Sequence, residues 1–565
     1  MTELLHPGLV LIAGGLIAAA LRGTARSVLL LAAPLAAMAL VWAMPDGAIW
    51  QAQFLGHALT PFAVDKLSRL FALVFSLMAF GGALFALNQP SRIELPAALV
   101  YAGSAVGVAL AGDWITVFVF WELMAVGSTL VIWSAGTARS RAASFRYLMI
   151  HLLGGVLLMA GIAGHVAATG SVALGPVRLD SVAHWLILAG FLVNAAAPPL
   201  SAWLPDAYPE ASWSGTVFLS AFTTKTAVYI LIRTFPGTEL LIYVGLFMVF
   251  YGIVFALLEN DMRRILTYSI VNQVGFMVTG IGIGTEMALN GAAAHAFTHI
   301  IYKALLLMSA GSVLYVTNRR KCTDLGGLFR SMPFTATCGI IGALAISAFP
   351  LTSGFVSKSM ISQAAADGHL QLVWLLLAAA SAGVFLHAGI KFPWFVFFQK
   401  DSGLRPPEPP LNMRLAMLLF SALCVGLGIF YAPLYDLLPY ATNYVPYDAP
   451  HVVGQLQLLL FSGLVFFLML PMLRRTLTIT LDVDWLYRRA GPAIVAAFAA
   501  GLSSGLGRLA DWVGGARALL LRLVMRWHGP EGVLSRTVST GVMAMWVSAL
   551  LGAYLLKYYL LKYFA

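Results

Sequence analysis

The fold is decided by the stretch DWITVFVFWELMAVGSTLVIW, residues 113–133. A helix needs about 20 apolar residues to cross a bilayer, and this run supplies them with one charge near its middle, at Glu122. Similar apolar runs follow one another along most of the chain. A barrel would instead need alternating segments of about ten residues. The sequence therefore predicts an all-α polytopic membrane protein.

The composition excludes a water-facing globule. The 565 residues are 60% hydrophobic and 10% charged, with a mean hydropathy of +0.87, whereas soluble domains carry about 25% charged residues. The net charge of +11 does not indicate nucleic acid, because many basic residues fall in short loops, as positive-inside bias and lipid headgroups favour. Cys322, Cys338 and Cys424 lack metal-type spacing. No cofactor, metal or nucleic-acid partner is predicted.

The apolar runs predict about 14–16 spans. The N-terminus lacks a basic flank and a cleavage site, so it is interpreted as the first span rather than a signal peptide. Prolines break two regions, and each break is followed by a buried Lys, which hints at a repeated unit of the transporter kind. The prolines are Pro198, Pro199, Pro205 and Pro209, and then Pro333, Pro350 and Pro393.

The character of the sequence changes after residue 475. Residues 492–528 are rich in Ala, Gly and Leu, with Arg508, Asp511, Arg522 and Arg526 near one helical face. This pattern favours a basic amphipathic helix on the membrane surface; a short span followed by an interfacial helix fits almost as well. The final run, 537–560, is long enough to span. The predicted segments are 1–94 (N-terminal helices), 95–283 and 284–431 (the two repeated units), 432–480 (a core helix) and 481–565 (an amphipathic helix and a last span).

Two buried charges form the first candidate site. Glu122 lies about nine residues from either end of its span, too deep for a carboxylate to reach water, and such a residue costs at least about 2.5 kcal/mol on insertion scales. Lys225 lies near the middle of SGTVFLSAFTTKTAVYILIR. Burial disfavours a charged Lys and a nearby carboxylate restores it, so the pair is predicted to act as a protonic switch. The alternatives are a structural salt bridge and a snorkelling lysine.

A second candidate site lies on later helices. His295, His299 and Lys303 in HAFTHIIYK are spaced by one helical turn each and share a face, which suits proton relay through intervening waters. A metal site is not predicted, because two imidazoles need a third ligand. Lys391, with His387 one turn earlier, repeats the theme near a span end. Lys358, Asp206 and Glu210 are interpreted as lying near loops or span ends, and Asp113 as a helix cap.

Six segments carry a family resemblance. They are FWELMAVGSTLVIW (120–133), PPLSAWLPDAYPEA (198–211), FTTKTAVYILIR (222–233), ENDMRRILTYSIVNQVGFM (259–277), HAFTHIIYKALLLMSAGSVLY (295–315) and DLGGLFRSMPFT (324–335). In this order, across about 60–400, the chain resembles the antiporter-like subunits of Mrp cation/proton antiporters, respiratory complex I and membrane-bound hydrogenases. It is most similar to the D-type component of Mrp antiporters.

The resemblance implies fourteen core helices with two inverted five-helix units, each with a broken helix. It implies that Glu122 is the essential glutamate, Lys225 its paired lysine, Lys303 the connecting lysine and Lys391 the terminal residue. Many relatives have Lys where this chain has Arg263. The segment after 480 is similar to the lateral helix and extra span of the distal antiporter-like component of complex I.

These patterns predict a proton-translocating subunit of an Mrp-type antiporter in the bacterial inner membrane. The predicted relay runs from Lys225 and Glu122 through His295, His299 and Lys303 to His387 and Lys391. Expected partners are other membrane subunits, lipid and protons, with Na⁺ as a candidate second ion. The alternative is an energy-coupling subunit of a complex I-related redox complex; a scaffold with inactive channels fits so complete a relay less well. No catalytic chemistry is predicted in this chain, and whether the whole complex is an enzyme is left open.

Overall fold

The structure is a computed structural model that describes residues 5–472 and 482–564. The first half contains α1 (Pro7–Ala20), α2 (Gly23–Ala43), β1 (Gly47–Phe54), β2 (His57–Val64), α3 (Lys66–Phe85), α4 (Glu94–Ala109), α5 (Trp114–Trp133), α6 (Ala138–Thr169), α7 (Val182–Asn194), α8 (Trp203–Ala207), α9 (Gly215–Leu219), α10 (Thr223–Thr234) and α11 (Leu240–Leu258). The second half contains α12 (Met262–Ile283), α13 (Glu286–Thr317), α14 (Pro333–Ile346), α15 (Ser353–Asp367), α16 (Gln371–Val384), α17 (Leu411–Ile429), α18 (Ala432–Asp436), α19 (Ala449–Leu468), α20 (Gly491–His528) and α21 (Thr540–Phe564).

The predicted all-α polytopic fold class is confirmed. In the described residues, 13 helices are long and apolar enough to cross a membrane, and α1, α4, α7 and α14 are shorter apolar helices. The apolar stretch 354–398 holds two segments, α15 and α16. Helix α16 continues into π-helical turns at Phe385–Lys391 and Trp394–Phe398.

A β-hairpin was not anticipated from the sequence. Strands β1 and β2 pair antiparallel, from Gly47 opposite Val64 to Phe54 opposite His57. The turn residues Leu55 and Gly56 both have positive φ, 48° and 81°, as the tight hairpin turn of type I′ requires. The strands are short and lie between two long apolar helices, so hydropathy alone does not reveal them.

Two helix breaks share one backbone geometry. Ala196, after α7, has φ 59°, and Ala348, after α14, has φ 57°. At both breaks the next residue donates its amide to the carbonyl five positions earlier, at 3.0 Å. This is the closure of a Schellman motif, and Pro198 and Pro350 follow it because proline cannot continue a helix.

Helices α6 and α13 correspond in the same way. Both are 32 residues long, and the side chains of Thr137 and Thr285 cap their N-termini. Both end at a left-handed residue, Gly170 after α6 and Asn318 after α13. The number of residues from Thr137 to Thr285 equals the number from Gly170 to Asn318. The two helices are therefore counterparts, related by one constant offset along the chain.

The preceding helices extend the correspondence. Asp113 caps α5 and Asp261 caps α12, and the same two residues form isolated β-bridges with Ala173 and Lys321. Between the two aspartates the chain passes five times from one end of the helical bundle to the other. The five passes are α5, α6, α7 with α8, α9 with α10, and α11. An odd number of crossings gives the two copies opposite topology. The correspondence groups α12 with α13, whereas the sequence-based boundary at 283/284 separates them.

The C-terminal residues form a second compact unit, Trp485–Ala565, and the first unit is Met1–Asp484. After a π-helical turn at Leu486–Ala490, α20 runs without a break for 38 residues. The helix is continuous, and its place on the membrane surface stays a prediction, because its length and hydropathy also suit a span. The last helix, α21, has the length and hydropathy of a span.

Candidate functional site

Helix α13 places three ionisable side chains on one buried face. His295, His299 and Lys303 are each 0% exposed, and the imidazole centroids of His295 and His299 are 6.2 Å apart. His295 is held at both ring nitrogens, with Nδ1 2.9 Å from Ser357 Oγ and Nε2 3.1 Å from Gln273 Oε1. The predicted stripe is therefore present, and the sequence spacing alone was sufficient to find it.

The middle member of the stripe differs from its neighbours. Lys303 donates from Nζ to Ser269 Oγ at 2.9 Å. Both nitrogens of His299 are buried and have no hydrogen-bond partner among the described residues. Buried polar groups are rarely left unpaired, so His299 is a candidate position for bound water.

Lys225 lies just after the gap between α9 and α10. It is fully buried, and its Nζ donates to the backbone carbonyl of Ser220 at 2.7 Å and to Thr224 Oγ1 at 3.1 Å. The carbonyl of Ser220 is available because the helix is interrupted at that residue. A broken helix therefore supplies the polar contact that the buried ammonium needs.

Glu122 faces α6 rather than Lys225. The residue is half-buried, and its Oε1 is buried without a hydrogen-bond partner among the described residues. Gly155 makes room for the carboxylate, because a Cβ there would collide with Oε1. In the part of the chain that the structure describes, Glu122 and Lys225 form no ion pair, so their predicted coupling needs groups between them.

Lys358 is a buried cation that the sequence analysis placed near a span end. It is 2% exposed, its Nζ donates to the carbonyl of Ile346 at 2.8 Å, and the ammonium lies 4.9 Å from the ring centroid of Phe276. Its chain neighbour Ser357 is hydrogen-bonded to His295. This bond holds the start of α15, and with it Lys358, next to the α13 stripe. The sequence feature that could have identified Lys358 as buried is the second helix break, because Lys358 follows that break on α15.

His387 and Lys391 lie on the π-helical continuation of α16. His387 is buried, with Nδ1 2.8 Å from the carbonyl of Gly383 and Nε2 without a partner among the described residues. Lys391 donates to three carbonyls at the end of α11, those of Ala256, Leu257 and Glu259, at 3.0, 2.6 and 2.6 Å.

A polar cavity of about 800 Å³ opens at one end of the bundle. Its lining includes Gln89, Ser134, Ser212, Arg263 and Arg320. The guanidinium of Arg263 donates to the carbonyls of Ala211 and Ser212 at 2.9 and 2.7 Å, so this residue ties α12 to the segment before α9. Arg263 therefore has a structural partner at a position where the family resemblance implies Lys.

A buried carboxylate lies behind this cavity. Glu94, at the start of α4, is 0% exposed and accepts hydrogen bonds from Gln89, Ser134 and Ser214. Two of these donors also line the cavity. Asp261 pairs with the cavity-lining Arg320, and burial raises the pKa of Asp261 above its ordinary value, although the charge of Arg320 opposes this. The sequence analysis missed Glu94 because it lies at the very end of an apolar run.

No group of three or more His, Cys, Asp or Glu suited to a metal ion occurs among residues 5–472 and 482–564. Buried lysines and histidines instead lie on helices of both units of a multi-pass membrane protein. This combination is similar to that of antiporter-like membrane subunits.

Residues 111–385, just under half of the chain, match the family described as NADH:quinone oxidoreductase/Mrp antiporter, transmembrane. The D component of a Na(+)/H(+) antiporter from Alkalihalophilus pseudofirmus is 32% identical over 279 residues, 46% of this chain and 56% of that protein. The A/B component of a probable K(+)/H(+) antiporter from Rhizobium meliloti is 30% identical over 357 residues, 59% of this chain but 36% of its own length. This chain thus spans about half or less of these two relatives.

Components of redox complexes are similar as well. The M component of the NADH-quinone oxidoreductase of Pseudomonas aeruginosa is 28% identical over 66% of this chain and 80% of that protein. Among solved structures, one polypeptide of the Mrp complex from Dietzia sp. DQ12-45-1b has TM-score 0.64 at 21% identity, covering 82% of this chain and 95% of that one. One polypeptide of the membrane-bound sulfane sulfur reductase, an archaeal respiratory membrane complex, has TM-score 0.70 at 22% identity and covers 98% and 100%. The last two comparisons establish the fold.

Proposed function

We propose that this chain translocates protons as a subunit of a multisubunit Mrp-type monovalent cation/proton antiporter in the bacterial inner membrane. The observation that carries the proposal is the fully buried His299, whose ring nitrogens have no hydrogen-bond partner among the described residues, in a bundle that also buries Lys225, Lys303 and Lys358. Each lysine can hold a proton only while its ammonium is stabilised, and water at His299 offers the exchange route. A row of such groups inside a membrane is costly to bury and is functional by default.

The proposed route begins at the polar cavity. The cavity includes Thr137 and Asn318, which flank α6 and α13. Basic residues are close to both in the chain, Arg139 and Arg141 in the first turn of α6 and Arg319 after α13. Positive-inside bias assigns this face to the cytoplasm. Protons pass from it to Lys225, biased by Glu122, then through the stripe His295, His299 and Lys303 to Lys358 and His387, with Lys391 as the predicted exit.

The test uses the assembled complex, purified by a tag on this chain and reconstituted in liposomes with an internal pH dye. An imposed Na⁺ or K⁺ gradient should drive proton movement. We expect Lys225→Ala and Glu122→Gln to reduce that flux at least about tenfold. Lys400→Ala, on a loop, is the control and should match the wild type. Wild-type flux in both assembled relay variants would overturn the proposal.

A second candidate is an energy-coupling subunit of a complex I-related redox complex. Its support is the C-terminal segment, since the fold of the respiratory-complex polypeptide extends over 98% of this chain and that of the Mrp polypeptide over 82%. Flavin or iron–sulfur absorbance in the purified assembly, with proton flux driven by a reductant rather than by a cation gradient, would favour this candidate over the first.

A further inference from the structure

The first helical unit contains a polar stripe of its own, on α6. Tyr147, His151 and Gly155 are spaced by one helical turn each and share a face. The sequence offset between the caps of α6 and α13 also relates these three positions to His295, His299 and Lys303, in that order. The two sets therefore occupy equivalent positions in the two units. His151 is thus the counterpart of His299, and the two are the central buried histidines of equivalent helices.

We propose that His151 carries the proton between Glu122 and Lys225. This inference rests on the proposed function. It supplies the group that lies between Glu122 and Lys225, which form no ion pair with each other in the described part of the chain. Glu122 Oε1 lies against Gly155, one turn along α6 from His151. The other end of the stripe reaches the break before Lys225, because the hydroxyl of Tyr147 lies 3.2 Å from Thr223 Oγ1.

The hydrogen bonds of His151 fix which nitrogen can act. Nδ1 lies 2.9 Å from the carbonyl of Tyr147. A carbonyl only accepts, so Nδ1 carries the hydrogen and Nε2 presents a lone pair. Nε2 is buried and has no partner among the described residues. The ring is also held by stacking on Tyr147, with centroids 3.8 Å apart.

Unpartnered polar atoms surround this spot. Three buried atoms here have no hydrogen-bond partner among the described residues: Oε1 of Glu122, Nε2 of His151 and the hydroxyl of Tyr208. The ring centroid of Tyr208 is 6.4 Å from that of Tyr147. Buried polar atoms without protein partners are commonly satisfied by ordered water. Water between Glu122 and Nε2 of His151 would satisfy two of them and provide a route for a proton.

On the other side, hydroxyls form a chain toward Lys225. Tyr147 donates to Ser128 Oγ at 2.9 Å, and Tyr101 lies 2.6 Å from Thr223 Oγ1 and also accepts from the Thr223 amide at 2.9 Å. Hydroxyl groups both donate and accept, so they pass protons on without becoming charged. Thr223 adjoins Thr224, which holds the ammonium of Lys225.

The proton balance of the step is complete. The Glu122 carboxylic acid releases its proton to water and becomes a carboxylate, while Nε2 of His151 takes one up and the ring becomes an imidazolium. The imidazolium then returns the Nε2 proton, through water and the hydroxyl chain, to the neutral amine of Lys225. His151 ends neutral with Nδ1 still bonded to Tyr147, ready for the next proton.

The test compares His151→Asn and His151→Phe with His165→Phe in the reconstituted complex. Asn keeps an amide near the position of Nδ1, and thus the bond to Tyr147, but removes Nε2. His165 lies on the same helix outside the stripe, bonded to His184, so its replacement is a matched control. We expect at least about a tenfold loss of proton flux in both His151 variants and an unchanged rate in the control.

The solvent deuterium isotope effect on the flux separates transport from structure. It should rise in assembled His151→Asn, because proton transfer across the gap becomes limiting. Wild-type flux in His151→Asn, or a loss of flux with no change in the isotope effect, overturns the inference. Either result leaves the proposed function standing if Lys225→Ala and Glu122→Gln still abolish flux, and normal flux in those two variants would refute the proposed function itself.

Discussion

Lys391 donates from Nζ to the backbone carbonyl of Glu259 at 2.6 Å. The same ammonium also bonds the carbonyls of Ala256 and Leu257, in the last turn of α11. The final carbonyls of a helix have no intrahelical partner, so Lys391 caps α11 from a neighbouring helix. Lys358, in contrast, has one carbonyl acceptor and an aromatic ring. Geometry therefore gives Lys358 more freedom to release a proton than Lys391.

Substitutions at these two lysines should have different effects. Lys391→Met leaves three carbonyls unsatisfied, and a hydrogen bond to a charged group contributes about 1.5–3 kcal/mol, so the melting midpoint of the purified complex should fall. Lys358→Met should abolish proton flux with a smaller change in that midpoint. Lys391→Arg keeps donors for the cap and serves as the control. If the Lys391→Arg variant assembles with a normal melting midpoint but loses proton flux, Lys391 is a relay residue, as the sequence predicted.

Gly155→Ala tests whether proton flux depends on the position of the Glu122 carboxylate against α6. The added Cβ would collide with Oε1 of Glu122, and because the clashing atom ends a side chain, the carboxylate can move away without unfolding the helix. We expect proton flux to fall toward that of Glu122→Gln while assembly is retained. Gly426→Ala, on α17, is the control, since no atom lies within 4 Å of its added Cβ. Equal flux in Gly155→Ala and wild type would show that the position of Glu122 against α6 does not matter.

Hydropathy predicted the fold class because insertion in a bilayer leaves few options, and the same cost identified Glu122, Lys225 and the α13 stripe. What the sequence could not show were contacts across helices. The α6 stripe was overlooked because Tyr147 and Gly155 are not charged residues, although His151 is the equivalent of His299. Lys358 was misplaced because a broken helix buries a residue that hydropathy assigns to a span end.

Glu94 is expected to serve the entry side of the route. Its carboxylate accepts from neutral donors, two of which line the polar cavity, so it is one hydrogen bond from water. Glu94→Gln keeps the volume and removes the exchangeable charge, and we expect flux from the cavity side to fall several-fold with little loss of assembly. Glu286→Gln, at the first turn of α13, is the comparison. Unchanged flux in Glu94→Gln would assign the carboxylate a structural role only.

Asp65 and Arg233 should contribute a pH-dependent increment of stability. Arg233 donates to both oxygens of Asp65 at 2.6 Å and joins α10 to the start of α3. Burial alone would raise the pKa of Asp65, but the charge and hydrogen bonds of Arg233 outweigh it and lower the pKa below the ordinary value. The side chain of Asp65 is 49% exposed, so solvent screening keeps the contribution below about 1 kcal/mol.

A lowered pKa means that the folded protein binds the proton less readily than the unfolded chain does. The stabilisation is therefore fully present above the unfolded value, about 3.9, and is lost as the pH falls through the lower folded value. Asp65→Asn should lower the melting midpoint of the purified complex by a small, constant amount between pH 7 and pH 5, and the difference from wild type should shrink only below about pH 4. Asp46→Asn, which removes a more exposed partner of Arg69, should have less effect. A difference that already disappears at pH 5 would contradict the lowered pKa of Asp65.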